Sequence, residues 1–190
     1  MVNATSVPLA ERVIFAHTVE GLFIKALKPR WTPRLLERLR VEGGLDLKKK
    51  LDPAIPFGAW QKCLLIAAEE LHPELPWEKG LDELGACLTW GYFDTVLGSA
   101  LAGVLRLIGP NRALKRFDRS LRSGNNYAES RLTELAPNHF VIWTNEAGSS
   151  RHNLAGVVRQ GVEIAGARNV RVAITAFDDA STTFDITWDL

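Results

Sequence analysis

Val170-Arg-Val-Ala-Ile-Thr-Ala-Phe177, Asp178-Asp-Ala-Ser181 and Thr183-Phe-Asp-Ile-Thr-Trp188 together decide the fold class. Apolar and polar residues alternate on both sides of a short segment rich in turn formers, the period-two pattern of a half-buried hairpin. The paired acids Asp178 and Asp179 read as turn residues rather than as a cation site. Just upstream, Arg151 to Ala165 carries Leu154, Val157, Val158, Val162 and Ile164 at helical spacing and stops at Gly166. Before it, Ala128 to Leu135 and His139 to Asn145 read as two strands joined by Ala136-Pro-Asn138. The order over residues 126–190 is therefore β-β-α-β-β.

Residues 12–123 read as helical instead. Arg12 to His17 is a short strand or extended lead, and Thr18 is placed as the N-cap of a helix from Val19 to Leu27. Thr32 and Pro33 open a helix with Leu35, Leu36 and Leu39 on one side, closed by Gly43-Gly44. Pro53 and Pro56 bracket an irregular passage. A strongly amphipathic helix follows, carrying Trp60, Leu64, Ile66, Ala67 and Leu71 and ending near His72-Pro73. Trp77 begins the next helix, and the small residues from Gly98 to Gly103 predict a close helix approach. Gly109-Pro110 breaks the chain before a basic helix over Asn111 to Arg122. A small sheet with one helix would leave an apolar face bare, so the helices must cover it. The prediction is one α+β domain over residues 1–190, an N-terminal helical layer packed on a small antiparallel sheet.

Composition narrows the function. The 190 residues carry 23 Lys plus Arg against 22 Asp plus Glu, a formal charge of +1 with no global footprint of nucleic-acid binding. Cys63 and Cys87 lie among apolar neighbours and read as buried thiols rather than a bridge. No secretory leader is visible and no apolar run reaches the ~20 residues of a membrane span, which places the chain in the cytoplasm. No Gly-x-Ser-x-Gly elbow or phosphate-binding glycine pattern occurs, and the histidines stand alone at 17, 72, 139 and 152. No metal-ligand spacing links them to the cysteines, so no metal and no cofactor is expected.

Two features remain. Arg112, Lys115, Arg116 and Arg119 recur at three and four residues and share a helix face, with Arg122 extending the charge. That face is solvated, or it holds a phosphorylated ligand, an acidic partner or anionic lipid. Trp60, Trp90 and Tyr92 fill the core, or they line an apolar pocket.

Val19-Glu-Gly-Leu-Phe23, Gly44-Leu-Asp-Leu47, Pro56 with Trp60, Leu84-Gly85, and Gly91-Tyr-Phe-Asp-Thr95 followed by Gly98 resemble a myxobacterial paralogous family of domains of unknown function. The order of helices and strands is similar to the superfamily of haem-nitric-oxide sensor domains, 4-vinyl-reductase ligand-binding domains and TRAPP vesicle-tethering subunits. That resemblance implies a site for haem or a small apolar ligand between helices and sheet, or an assembly role. The sensors' haem motif is Tyr-x-Ser-x-Arg, whereas this chain reads Tyr127-Ala-Glu-Ser130-Arg131, a spacing that sends Ser and Arg to different sides of a strand. No His lies between His72 and His139 to serve as the proximal ligand, so haem is not expected. The leading expectation is a non-enzymatic sensor or ligand-binding module in signalling, holding a small apolar or amphipathic ligand. The first alternative is a protein-interaction or scaffold subunit acting as a homodimer or larger homo-oligomer. A catalyst using His17, Tyr92 or Asp94 is the second.

Overall fold

The computed structural model describes residues 7–93 and 96–190, with side chains at all of these except positions 92, 96–101, 118 and 120. Strand β1 (Val13–Phe15) runs into α1 (Ala16–Val19), which continues as a π-helix over Glu20–Ala26. The helix thus starts earlier than the sequence predicts. Thr18 lies inside it rather than at its cap, and its hydroxyl donates to the Gly124 carbonyl at 3.1 Å.

Helix α2 (Pro33–Val41) follows the capping rule directly: Thr32 accepts from the Leu35 amide at 3.0 Å, and Pro33 fills the first turn where no N–H is needed. Thr32→Ala is expected to lower stability by about 1 kcal/mol in a urea titration. An unchanged midpoint would show that the first turn of α2 holds without its cap.

The passage expected to be irregular contains β2 (Ala54–Pro56), paired antiparallel with β1 so that Ile14 faces Ile55. Three residues are too few to show alternation, and the flanking prolines masked the strand. Helices α3 (Phe57–Leu71) and α4 (Trp77–Phe93) close one apolar cluster, in which Leu22, Phe23, Leu35, Leu39, Leu64 and Leu81 are fully buried.

Helix α5 (Val96–Leu114) is interrupted at Gly109, whose φ of 78° is open to glycine and strained for other residues. Helix α6 (Phe117–Gly124) begins after turn residues at Lys115 and Arg116. The single basic helix expected over Asn111 to Arg122 is therefore two pieces, with Leu114 of the first and Phe117 of the second packed on the same apolar cluster.

That second cluster lies on a four-stranded antiparallel sheet of order β3-β4-β6-β5, formed by β3 (Ser130–Ala136), β4 (His139–Thr144), β5 (Arg168–Phe177) and β6 (Thr182–Asp189). Phe140, Ile142, Phe184 and Ile186 face inward and meet Leu154, Val158 and Val162 of α7 (Ser150–Ile164). The class is α+β. In the β5–β6 turn, Asp178 Oδ1 accepts from the amides of Ala180 and Ser181, at 2.8 and 2.6 Å, which holds its carboxyl below the usual range.

Helices α4 and α7 cross with backbone against backbone. A Cβ added at Gly85 would fall on the Asn153 carbonyl oxygen, and one added at Gly156 on the Asp82 carbonyl oxygen. Arg159 clamps the crossing through Asp82 at 2.6 Å. Of the stretch from Gly98 to Gly103 where a close approach was predicted, positions 98–101 lie outside the described side chains, and Gly103 has open space beside it.

Candidate functional site

A cavity of about 420 Å³ opens where α6 hands over to β3, lined by Val7, Arg122, Asn126, Glu129, Ser130 and Arg131 among others. Asparagine chemistry shapes its floor. Asn125 Oδ1 accepts from the amides of Tyr127 and Ala128, at 3.0 and 2.7 Å, and Asn126 bridges to β1 by accepting from Val13 and donating to Glu11. The chain is thereby folded sharply before it enters the sheet.

Tyr127, in this floor, is buried and leads into a polar network beneath the cleft. Its hydroxyl donates to Glu146 Oε2 at 2.8 Å, and its ring packs edge-on against Phe57. Arg12 stacks over the same ring at 4.8 Å and donates to the Asn145 carbonyl at 2.8 Å. Burial pushes the Tyr127 phenol up, and the neighbouring Glu146 adds to this.

Glu146 is the unusual member, a carboxyl buried among α7, β6 and α3. Burial raises its pKa, against the hydrogen bonds from Ser150 and Tyr127 and the charge of Arg12. Ser150 ties the carboxyl to the first turn of α7. Its hydroxyl has one proton, yet both Glu146 Oε1 and the Ala147 carbonyl lie within reach, while Gln61 Nε2 donates toward Ser150 Oγ at 3.1 Å and Ala147 O at 2.8 Å. Ser150 thus sits between the carboxyl and the Ala147 carbonyl, with Gln61 donating to it from α3. Thr182 completes the joint by donating to the Glu146 carbonyl at 2.8 Å.

The residues singled out from sequence are placed elsewhere. Trp60 is buried edge-on against Phe23 with ring centres 6.0 Å apart, whereas Trp90 is 53% exposed on α4, and neither lines the cleft. The side chain of Tyr92 and all of Asp94 lie outside the described residues. Arg112, Lys115, Arg116 and Arg119 are exposed, and Lys115 pairs with Glu134 at 2.6 Å. His17 is exposed beside Phe15. Among the described residues no three His, Cys, Asp or Glu side chains converge to hold a metal ion. The sequence reading missed Arg12, Glu146 and Ser150. The one signal was Glu146 itself, a charge directly after a strand of alternating apolar residues.

A family model described as a protein of unknown function (DUF2378) matches residues 12–189. The chain belongs to this family. No curated protein matches the DUF2378 chain. Solved structures do. A point mutant of the Fe(II) unliganded H-NOX protein from K. algicida is 12% identical with a TM-score of 0.65, covering 90% of this chain and 94% of its own. An oxygen-binding H-NOX domain related to soluble guanylate cyclases, in its oxygen complex, is 12% identical with a TM-score of 0.67, covering 91% and 94%. A protein from work on modulating haem redox potential through porphyrin distortion is 12% identical with a TM-score of 0.66, covering 91% and 94%. At this identity the likeness shows an H-NOX-like fold for the DUF2378 chain and nothing about its chemistry.

Proposed function

We propose that the chain is a non-catalytic sensor module that binds a small polar, anion-bearing ligand in the cleft between α6 and β3. One observation carries this reading: the cleft floor and the buried network share Tyr127, so the segment a ligand would touch is bonded to Glu146. Through Glu146, Ser150 and Gln61 that segment is tied to α7 and α3, and through Asn126 to β1. A ligand that moves the start of β3 must therefore strain or relieve the joint between helical layer and sheet. The cleft is of ligand-pocket size, and Arg122 and Arg131 on its wall favour an anion over the apolar ligand that the tryptophans suggested.

Haem, named for one of the similar structures, does not fit the residues present. His72 bonds Arg30 at 3.3 Å, His139 bonds Asp185 at 2.8 Å, and His152 packs on Trp77 with ring centres 5.0 Å apart. His17 stands exposed on α1. Cys63 is no thiolate, because burial pushes its thiol up to about 12 and it donates to the Gly43 carbonyl. Ser130 pairs with Thr144 on the buried face of the sheet, and Arg131 stacks over Trp143 at 4.8 Å on the other. The sensors' Tyr-x-Ser-x-Arg spacing is therefore not reproduced.

Isothermal titration with phosphate, pyrophosphate, citrate and acetate tests the site. Saturable binding by at least one anion is expected, weakened about tenfold in Arg131→Ala. Absence of binding by all four, or identical affinity in the variant, would move the site away from the cleft.

A further inference from the structure

Leu107 is 88% exposed and Val104 46% exposed, one helical turn apart on the outer side of α5. Gly103, between them and the buried Ala102, has nothing beside it. Both side chains are exposed, and neither lines the cleft beside Tyr127. Around them the charge is one-sided. Residues 104–122 hold six basic side chains and one acid, a local +5, which leaves −4 for the rest of a chain whose total is +1.

The packing of the end of α5 and of α6 keeps this charge outward. Leu114, Phe117 and Leu121 turn toward the sheet cluster, so Arg112, Arg116 and Arg119 are left on the solvent side, and all three are exposed. Lys115 is engaged by Glu134, whereas Arg106, Arg112, Arg116 and Arg119 make no ion pair with a described residue.

The geometry points to this face, from Val104 to Arg119, as a docking surface for an anionic lipid bilayer. Exposed apolar side chains with the exposed Arg106 next to Leu107 and further exposed arginines following in the chain suit a lipid interface, where Leu and Val enter the acyl boundary and guanidinium groups stay with headgroup phosphates. A protein partner would instead need a pocket shaped to receive Leu107 and about 1,200 Å² of matched surface. The opposite sign on the rest of the chain turns the molecule so that the basic face meets the membrane. Attachment is peripheral, since among the described residues no helix is long and apolar enough to cross a membrane.

Flotation of the full chain with phosphatidylcholine vesicles, with and without about 30% phosphatidylserine, tests the assignment. Binding is expected only with phosphatidylserine, falling at least about tenfold between about 0.1 M and 0.5 M salt. Reversing Arg112, Arg116 and Arg119 together to Glu should lower partitioning at least about a hundredfold. Leu107→Ser should lower it about fivefold without changing the melting temperature, the side chain being exposed. Reversing the exposed Lys48 and Lys50 to Glu is the control and leaves binding as it was. If the triple variant fails to fold, Leu107→Ser and the salt series decide alone. No flotation, equal flotation with neutral vesicles, or unchanged flotation of the triple variant overturns the proposal. So does capture on polyglutamate without vesicle binding, which would assign the face to an acidic protein.

Discussion

Gly156→Ala is expected to destabilise the fold by about 3 kcal/mol or more, and Gly85→Ala by a similar amount. Two effects oppose each other in these variants. Alanine is the better helix former by about 1 kcal/mol, and on an exposed helix face the substitution would stabilise. At Gly156, however, the new methyl would fall on the backbone of Asp82, and at Gly85 on the backbone of Asn153. A flexible side chain can step aside, but a carbonyl held within a helix moves only if the helix moves. Helices α4 and α7 would have to separate, which pulls Arg159 from Asp82 and opens the junction of the two apolar clusters. Packing therefore outweighs propensity. Each loss is a large share of a total stability of ~5–15 kcal/mol, and because both glycines serve one crossing the double variant should lose less than the sum. Urea denaturation of each single variant checks this, and a midpoint at or above that of the parent would mean the crossing is looser than described.

Glu146 gives the second large effect, and its sign depends on pH. A carboxyl whose folded pKa is raised holds its proton in the folded state after the unfolded chain has released it. Its contribution is fully present below about pH 4.5 and is lost as pH rises through the folded value. Carboxyls held below their usual range, such as Asp178, behave oppositely and lose their contribution only as pH falls further. Between pH 5 and 8 this loss is opposed by His72 and His152, whose burial lowers their pKa and whose contribution is lost as pH falls, so the share of Glu146 is read from the difference between parent and variant. Glu146→Gln removes the titrating group but keeps a donor and an acceptor in place, so from pH 5 to 8 it should gain stability relative to the parent. Glu146→Ala removes the acceptor of the buried Tyr127 hydroxyl and leaves a void, costing about 2–4 kcal/mol at either pH. Thermal melts from pH 5 to 8 distinguish these cases. Equal slopes for the parent and Glu146→Gln would mean that Glu146 does not carry the pH dependence.

The C-terminal half was legible because its signals are local. Alternation over Val170 to Phe177 and Thr183 to Trp188 forces one face of each strand inward, and the structure pairs them with Ile174 opposite Phe184. The Thr32-Pro33 start of α2 is equally local. The site was hidden for the opposite reason. Arg12, Tyr127, Glu146 and Gln61 are brought together from widely separated segments, and no spacing in the chain announces that they meet. The tryptophans misled because an aromatic residue on an amphipathic helix has the same pattern whether it fills a core, as Trp60 does, or stands in solvent, as Trp90 does. The basic stretch kept its helical spacing of apolar residues across the turn at Lys115 and Arg116, so the pattern of Leu114, Phe117 and Leu121 gave no sign of the interruption.

Native mass spectrometry of freshly purified protein, beside a denatured control and an absorption spectrum, tests the sensor reading most directly. The account predicts a non-covalent adduct of a small anionic molecule that is lost on denaturation and reduced in Arg131→Ala, with no Soret band. A bare mass that takes up none of the anions tested by titration, or an adduct with haem absorption, would contradict it.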